Sequence, residues 1–193
     1  MTKEDIIALP NPHLRQKSKR VGVITDEILQ IIDDMKAATI DWDQSRDHEV
    51  AVALAAVQID RLYKIVVVRN NHEDKSDHTF TVCINPEIAK FEGTPKAVFE
   101  GCLSVPNIYG KVPRYPKVKV KALDEHGKPF RITAEGFLAQ IFQHEIDHTN
   151  GIVFVDHIKD DPKAFLRLEA SGELEPLDYK EAIENNSMLW DQA

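Results

Sequence analysis

The chain has 193 residues, 42% hydrophobic and 29% charged, with a formal net charge of -8. That length suits one domain with a substantial buried core. The acidic balance argues against DNA or a membrane surface as a partner, because phosphate contacts need clustered Lys and Arg. No apolar run approaches the length of a membrane span, and the start, MTKEDIIALPNPHLRQ, lacks the features of a secretion signal, so the expected location is the cytoplasm.

Residues 25–42 read as an amphipathic helix: Ile28, Ile31, Ile32, Met35 and Thr39 fall at helical spacing. Thr25 is placed to cap it, with Asp26 and Glu27 in the favourable first turn. A polar loop, DQSRDHE, is followed by the short apolar run AVALAAVQID. Residues 62–69 have the β-branched content of a buried strand, and TFTVCIN reads as another. Two cysteines in a reducing compartment are not expected to pair; Cys83 reads as a core thiol, Cys102 as a ligand or nucleophile. KVKVKAL and FRITAE alternate around DEHGKP, which predicts an antiparallel hairpin with Gly127 in the turn. EGFLAQIFQHEIDH returns to helical spacing through Phe137, Leu138, Ile141 and Phe142, and Gly151 punctuates its end. Strands precede this helix rather than alternate with helices, so the class is α+β. From Leu168 the tail holds seven carboxylates against one lysine, Lys180. It reads as an acidic appendage, with LDYKEAIENNSMLW a candidate last helix.

Within the last strong helix, His144 and His148 stand four apart with Glu145 between, the H-E-x-x-H pattern. That spacing puts both imidazoles on one helix face, within reach of one metal ion. A catalytic metal commonly takes three protein ligands and keeps one position open. The third must be a thiolate, imidazole or carboxylate. Cys102 stands out in EGCLSVP, after Gly101, which permits close backbone approach, and before Pro106, which ends regular pairing. His157, Glu169 and Glu173 are the downstream candidates, as a zincin-type peptidase would require.

EGCLSVP, QHEIDH and the preceding AVALAAVQ together resemble the three motifs of the peptide deformylases, as do NPHLRQKSKRV and VPRYPKVKVKALDEHGKPF. The resemblance implies a catalytic domain over residues 1–167, with residues 168–193 as an acidic tail. It implies antiparallel sheets packed around a central metal-binding helix carrying the H-E-x-x-H motif. It implies Cys102, His144 and His148 as ligands of one divalent ion, Fe(II) physiologically, with Zn(II), Ni(II) or Co(II) able to occupy the site. The implied reaction hydrolyses the formyl amide of N-formylmethionyl peptides. Glu145 would be the general base, and the Leu103 backbone N–H and Gln58 side-chain amide the oxyanion donors. Val52, Ala53, Tyr109, Phe137 and Ile141, with His144, would form the substrate walls.

The first motif departs from the family pattern, with Ala51 and Ala53 where glycines are usual. Either alanine could strain a left-handed backbone or narrow the groove. That leaves a hydrolase of another small formyl amide as an alternative substrate reading. The KVPRYPKVKVK stretch is the one basic patch for a transient ribosome contact, although a solvated hairpin face is the simpler reading. Glu100 and Arg114 are expected to pair behind the EGCLS loop.

Overall fold

The structure, a computed structural model, describes residues 1–45, 49–169, 171–184 and 189. Among the described residues, nine strands form two sheets in which every strand pair is antiparallel. The first sheet has the order β1 (Ala53–Ala55), β2 (Ile65–Arg69), β3 (Phe80–Glu92), β6 (Lys117–Leu123), β7 (Pro129–Glu135). The second has the order β4 (Lys96–Cys102), β5 (Val105–Arg114), β8 (Phe165–Leu168), β9 (Leu174–Pro176). The α-helices α1 (Asp26–Gln44) and α2 (Gly136–His148) complete the mixed architecture of the described residues.

The first sheet is covered on both faces. Ile28, Ile31, Ile32, Met35 and Ala38 of α1 pack with Ile65, Val67, Val82 and Ile84 on one side. Ala139, Ile141, Phe142 and Ile146 of α2 pack with Val66, Val68, Cys83, Val118 and Val120 on the other. This sandwich explains why β2 is a continuous apolar run rather than an alternating one. Thr25 caps α1 as expected, its Oγ accepting from the Ile28 N–H at 3.4 Å, and the helix runs two residues past the predicted end. Cys83 is fully buried, and burial pushes its thiol up to about 12, which keeps it inert. The β6–β7 hairpin turns through Gly127 at φ 78°.

Three features differ from the sequence reading. TFTVCIN is only the start of β3, which continues to Glu92 through register shifts between Ile84 and Glu87 and between Ile88 and Lys90. Pro106 does not end pairing: it lies in β5, but Gly101 pairs Tyr109 while Cys102 pairs Val105, so residues 106–108 bulge out of register. The segment after α2 also forms strands. β8 spans the expected 167/168 boundary and pairs with β5 and β9, and Leu177, Ile183 and Leu189 pack with Phe154 and Phe165 under the second sheet. A π-helical turn, Lys180–Glu184, occupies part of the predicted last helix, whose remainder lies largely outside the described residues. The basic hairpin face is tied down by glutamates: Lys117 pairs Glu135 at 2.8 Å, and Lys121 pairs Glu87 at 2.8 Å.

Gly151 ends the turn after α2 at φ 78°, and an added Cβ there would stand 2.5 Å from the Arg15 carbonyl oxygen. Both the left-handed backbone and the contact exclude a side chain. Gly151→Ala is expected to destabilise the fold by at least about 2 kcal/mol, read as a lowered midpoint in denaturant unfolding.

Candidate metal centre

Three elements converge on one point. α2 presents His144 and His148 on one face, their ring centroids 4.9 Å apart. β4 brings Cys102 from the second sheet. The bulge after it, with Asn107 at φ 61°, separates Cys102 from regular pairing. Gly101 has to be glycine, since a Cβ would meet the Tyr109 ring at 2.5 Å. Cys102 Sγ lies 3.2 Å from His148 Nε2. One ligand atom each from Cys102, His144 and His148 falls within 4.8 Å of the others. One thiolate and two imidazoles form a donor set suited to a transition metal with an open position. Glu145 Oε2 and His148 Nδ1 are buried without a hydrogen-bond partner. An acceptor left bare beside three ligand atoms is what an open metal position with a water would require, so the residues present fit such an ion.

Behind the ligands runs a charged chain. His144 Nδ1 lies 3.0 Å from Glu100 Oε2, which leaves Nε2 for the ligand position. Arg114 grips Glu100 with two bonds, at 2.7 and 3.1 Å, and reaches Asp147 Oδ2 with Nη1 at 2.6 Å. His157 Nε2 meets the same Asp147 oxygen at 2.7 Å. Burial works to raise Glu100, but the bonds to His144 and Arg114 prevail and hold it at about 2. Burial opposes charge on His144 as well, yet its contacts with Cys102 and Glu100 raise it above the ordinary range. Burial, with the nearby His144 charge, lowers His148. Burial raises Glu145 to about 7.

Gln58 is oriented by the backbone. Its Oε1 accepts from the Ala55 N–H at 2.9 Å, so its amide Nε2 must face Ser104 Oγ at 3.2 Å and Cys102 Sγ at 3.6 Å. A cleft of about 240 Å³ opens in front of it, lined by Val52, Ala53, Gln58, Cys102, Leu103, Tyr109, Phe137, Ile141, His144 and Glu145. His148 lies behind it, fully buried. Five further lining residues, Trp42, Glu49, Val50, Phe99 and Gln140, were not anticipated. Phe99 directly precedes EGCLS and carried no signal of its own. Tyr109 Oη donates to Glu49 Oε2 at 2.8 Å. Neither alanine of the first motif has positive φ. Ala51 is buried, its N–H donating to Asp43 Oδ1 at 3.1 Å, so only Ala53 bears on the groove. His157, a candidate zincin ligand, is engaged with Asp147, and among the described residues it is not part of the ligand cluster.

The polypeptide deformylase family model matches residues 3–164. The chain is 44% identical over 143 residues to peptide deformylase 2 of Clostridium acetobutylicum, covering 74% of this chain and 87% of that one. It is 42% identical over 155 residues to the peptide deformylase of Aquifex aeolicus, covering 80% and 87%. Among solved structures, a peptide deformylase from Legionella pneumophila matches with TM-score 0.70 at 41% identity, covering 79% of this chain and 83% of that one. The Synechococcus elongatus peptide deformylase in complex with actinonin matches with TM-score 0.69 at 36% identity, covering 79% and 76%.

Arg114 is the cation between two carboxylates, and it is buried. Arg114→Leu leaves Glu100 buried without it, at an expected cost of about 3–5 kcal/mol near neutral pH. The folded pKa of Glu100 lies below its free value of 4.5. Its stabilisation is therefore complete above that pH and lost as pH falls toward about 2. The gap between wild type and Arg114→Leu in urea unfolding should accordingly shrink across that acid window.

Proposed function

Since the chain belongs to the peptide deformylase family, we propose that Cys102, His144 and His148 hold one divalent metal ion and that Glu145 is its catalytic base. The protein removes the N-terminal formyl group from nascent polypeptides and releases formate. The observation that carries the site assignment is the meeting of a thiol and two imidazoles within 4.8 Å, beside a buried carboxylate oxygen with no partner.

When bound, the ion supplies Lewis acidity, which lowers the pKa of a water and polarises a carbonyl. Glu145 takes the proton of the attacking water and passes it to the leaving amine. The Gln58 amide and the Leu103 backbone N–H donate to the oxyanion that forms on the formyl carbon. The Ala55 N–H holds Gln58 in that orientation at no cost during reaction. Val52, Ala53, Ile141 and His144 wall an apolar recess for the methionine side chain, with Tyr109 and Phe137 nearer the opening. The formyl carbon bears only hydrogen, so selection against a larger acyl group would fall to the side chains closest to the ligand residues, Gln58, Leu103 and Glu145.

In this reading α2 is the central metal-binding helix, and the H-E-x-x-H pattern is read from it as two ligands and a base. The ion is ferrous iron, with Zn(II), Ni(II) or Co(II) able to replace it, as the mixed sulfur and nitrogen donor set suits all four. Residues 1–167 carry the catalytic machinery, which the family match ending at residue 164 supports; the described part of the acidic tail adds β9 and apolar packing to the same fold. Formylated chains emerge where translation occurs, which places the enzyme in the cytoplasm. Any ribosome contact is transient, since the lysines of β6 already have glutamate partners.

The test is formate release from a short formylmethionyl peptide by anaerobically prepared, iron-loaded protein. Glu145→Gln is expected to lower kcat by roughly 10²–10⁴-fold while still binding one metal per chain. Full activity in that variant would remove Glu145 from the mechanism. Absence of formate release from the loaded wild type would overturn the reading.

A further inference from the structure

The wall of the cleft that carries Val52 and Ala53 has little of its own to hold it. β1 is three residues long and lies at the edge of the first sheet, with β2 its one ladder neighbour. Such a strand has few bonds to keep its place, and local opening starts where bonds are few. Two main-chain groups at its entry are anchored from outside the cleft. The Ala51 N–H donates to Asp43 Oδ1 at 3.1 Å, and the Val52 carbonyl accepts from the Arg69 N–H at 2.8 Å. Ala51 is 1% exposed, so water does not stand in for Asp43 as its acceptor.

Asp43 and Arg69 are themselves a buried pair. Asp43 lies in the last turn of α1, and Arg69 ends β2. Their side chains are 2% and 1% exposed, and Arg69 Nη1 donates to Asp43 Oδ2 at 2.8 Å. Arg69 Nη2 donates to the carbonyls of Asp74 and Asp77, at 3.0 and 3.1 Å, and Lys75 Nζ to that of Asp43 at 3.2 Å. The pair thus joins α1, β2, the loop after β2 and the entry to β1. An apolar pair of similar volume is often as stable as a buried ion pair, but it could not accept from the Ala51 N–H. Neither side chain lines the cleft.

We propose that Asp43, oriented by Arg69, is a positioning residue for substrate binding: through the Ala51 N–H it fixes the wall on which Val52 and Ala53 meet the formylated chain. This role rests on the deformylase reading and adds a pair of residues that stand outside the cleft and the ligand set. Val52 directly follows Ala51, so a shift of the Ala51 amide moves Val52 with it. Gln58 lies beyond the three ladder pairs of β1 and is held by the Ala55 N–H and Ser104. Glu145 and the ligands stand on α2 and β4. Loss of the Asp43 bond therefore acts on KM and leaves kcat nearly as it was.

The experiment compares two double variants that both remove the buried charges, Asp43→Asn with Arg69→Met and Asp43→Leu with Arg69→Met. The asparagine variant keeps an oxygen for the Ala51 N–H, and the leucine variant does not. Steady-state kcat and KM are measured for formyl-Met-Ala-Ser on the metal-loaded full chain. KM is expected to rise roughly tenfold in the leucine variant and to stay within about twofold of wild type in the asparagine variant, with kcat near wild type in both. An unchanged KM in the leucine variant, an equal rise in both variants, or a loss carried by kcat overturns the role. Hydrogen exchange at the Ala51 amide gives a second reading that needs no variant to fold. Slow exchange in wild type is expected, and exchange as fast as that of an exposed amide overturns the role. No formate from wild type overturns the deformylase reading and the role with it.

Discussion

The site depends on one buried cation. Arg114 sits at the end of β5 and joins Glu100 on β4 to Asp147 on α2. It fastens the second sheet to the helix that carries both histidines, alongside the Gln140 bond to the Phe99 carbonyl. Two carboxylates and a guanidinium are expensive to bury, and only their mutual bonding makes the arrangement tolerable. Once they are in place, Glu100 fixes the ring of His144, and Asp147 receives His157 from the turn that follows α2. The orientation of a ligand is thereby set by charges that are not themselves ligands.

The same constraint explains why the cleft has its shape. Cys102 and the histidines come from different layers of the fold, so the ligand set exists only when sheet and helix are docked. The bulge after Cys102 frees it from regular pairing, and the bare Gly101 leaves room for the Tyr109 ring of β5 beside it. Gln58 reaches the same point from the end of the first sheet's edge strand, held by the Ala55 N–H at one end of its amide and by Ser104 Oγ at the other. The floor of the site is thus assembled from rigid elements, while its mouth is left with exposed apolar groups.

Much of this was legible in the sequence, for identifiable reasons. Helix α1 announced itself by period and cap, and the β6–β7 hairpin by alternation around Gly127. The ligand histidines followed from helical spacing. Cys102 and Gln58 did not follow from spacing at all; each looks ordinary alone, and only the run of motifs around it singled it out. The two alanines looked like a defect because glycine implies a special backbone, yet neither sits at positive φ. Strands β4, β5, β8 and β9 were not anticipated, because a proline and a cluster of carboxylates obscure their pairing. Phe99 was invisible for another reason: an exposed aromatic residue in a strand has no pattern that distinguishes a rim from a solvated face. Only its place on the lining of the cleft reveals it.

The central claim is that a cysteine thiolate and two histidines make the metal centre. X-ray absorption at the metal edge of the loaded protein tests it most directly. The account predicts one sulfur at about 2.3 Å with nitrogen or oxygen completing a shell of low coordination number, and loss of that sulfur in Cys102→Ser. A wild-type spectrum without sulfur, or one whose sulfur survives Cys102→Ser, would contradict it.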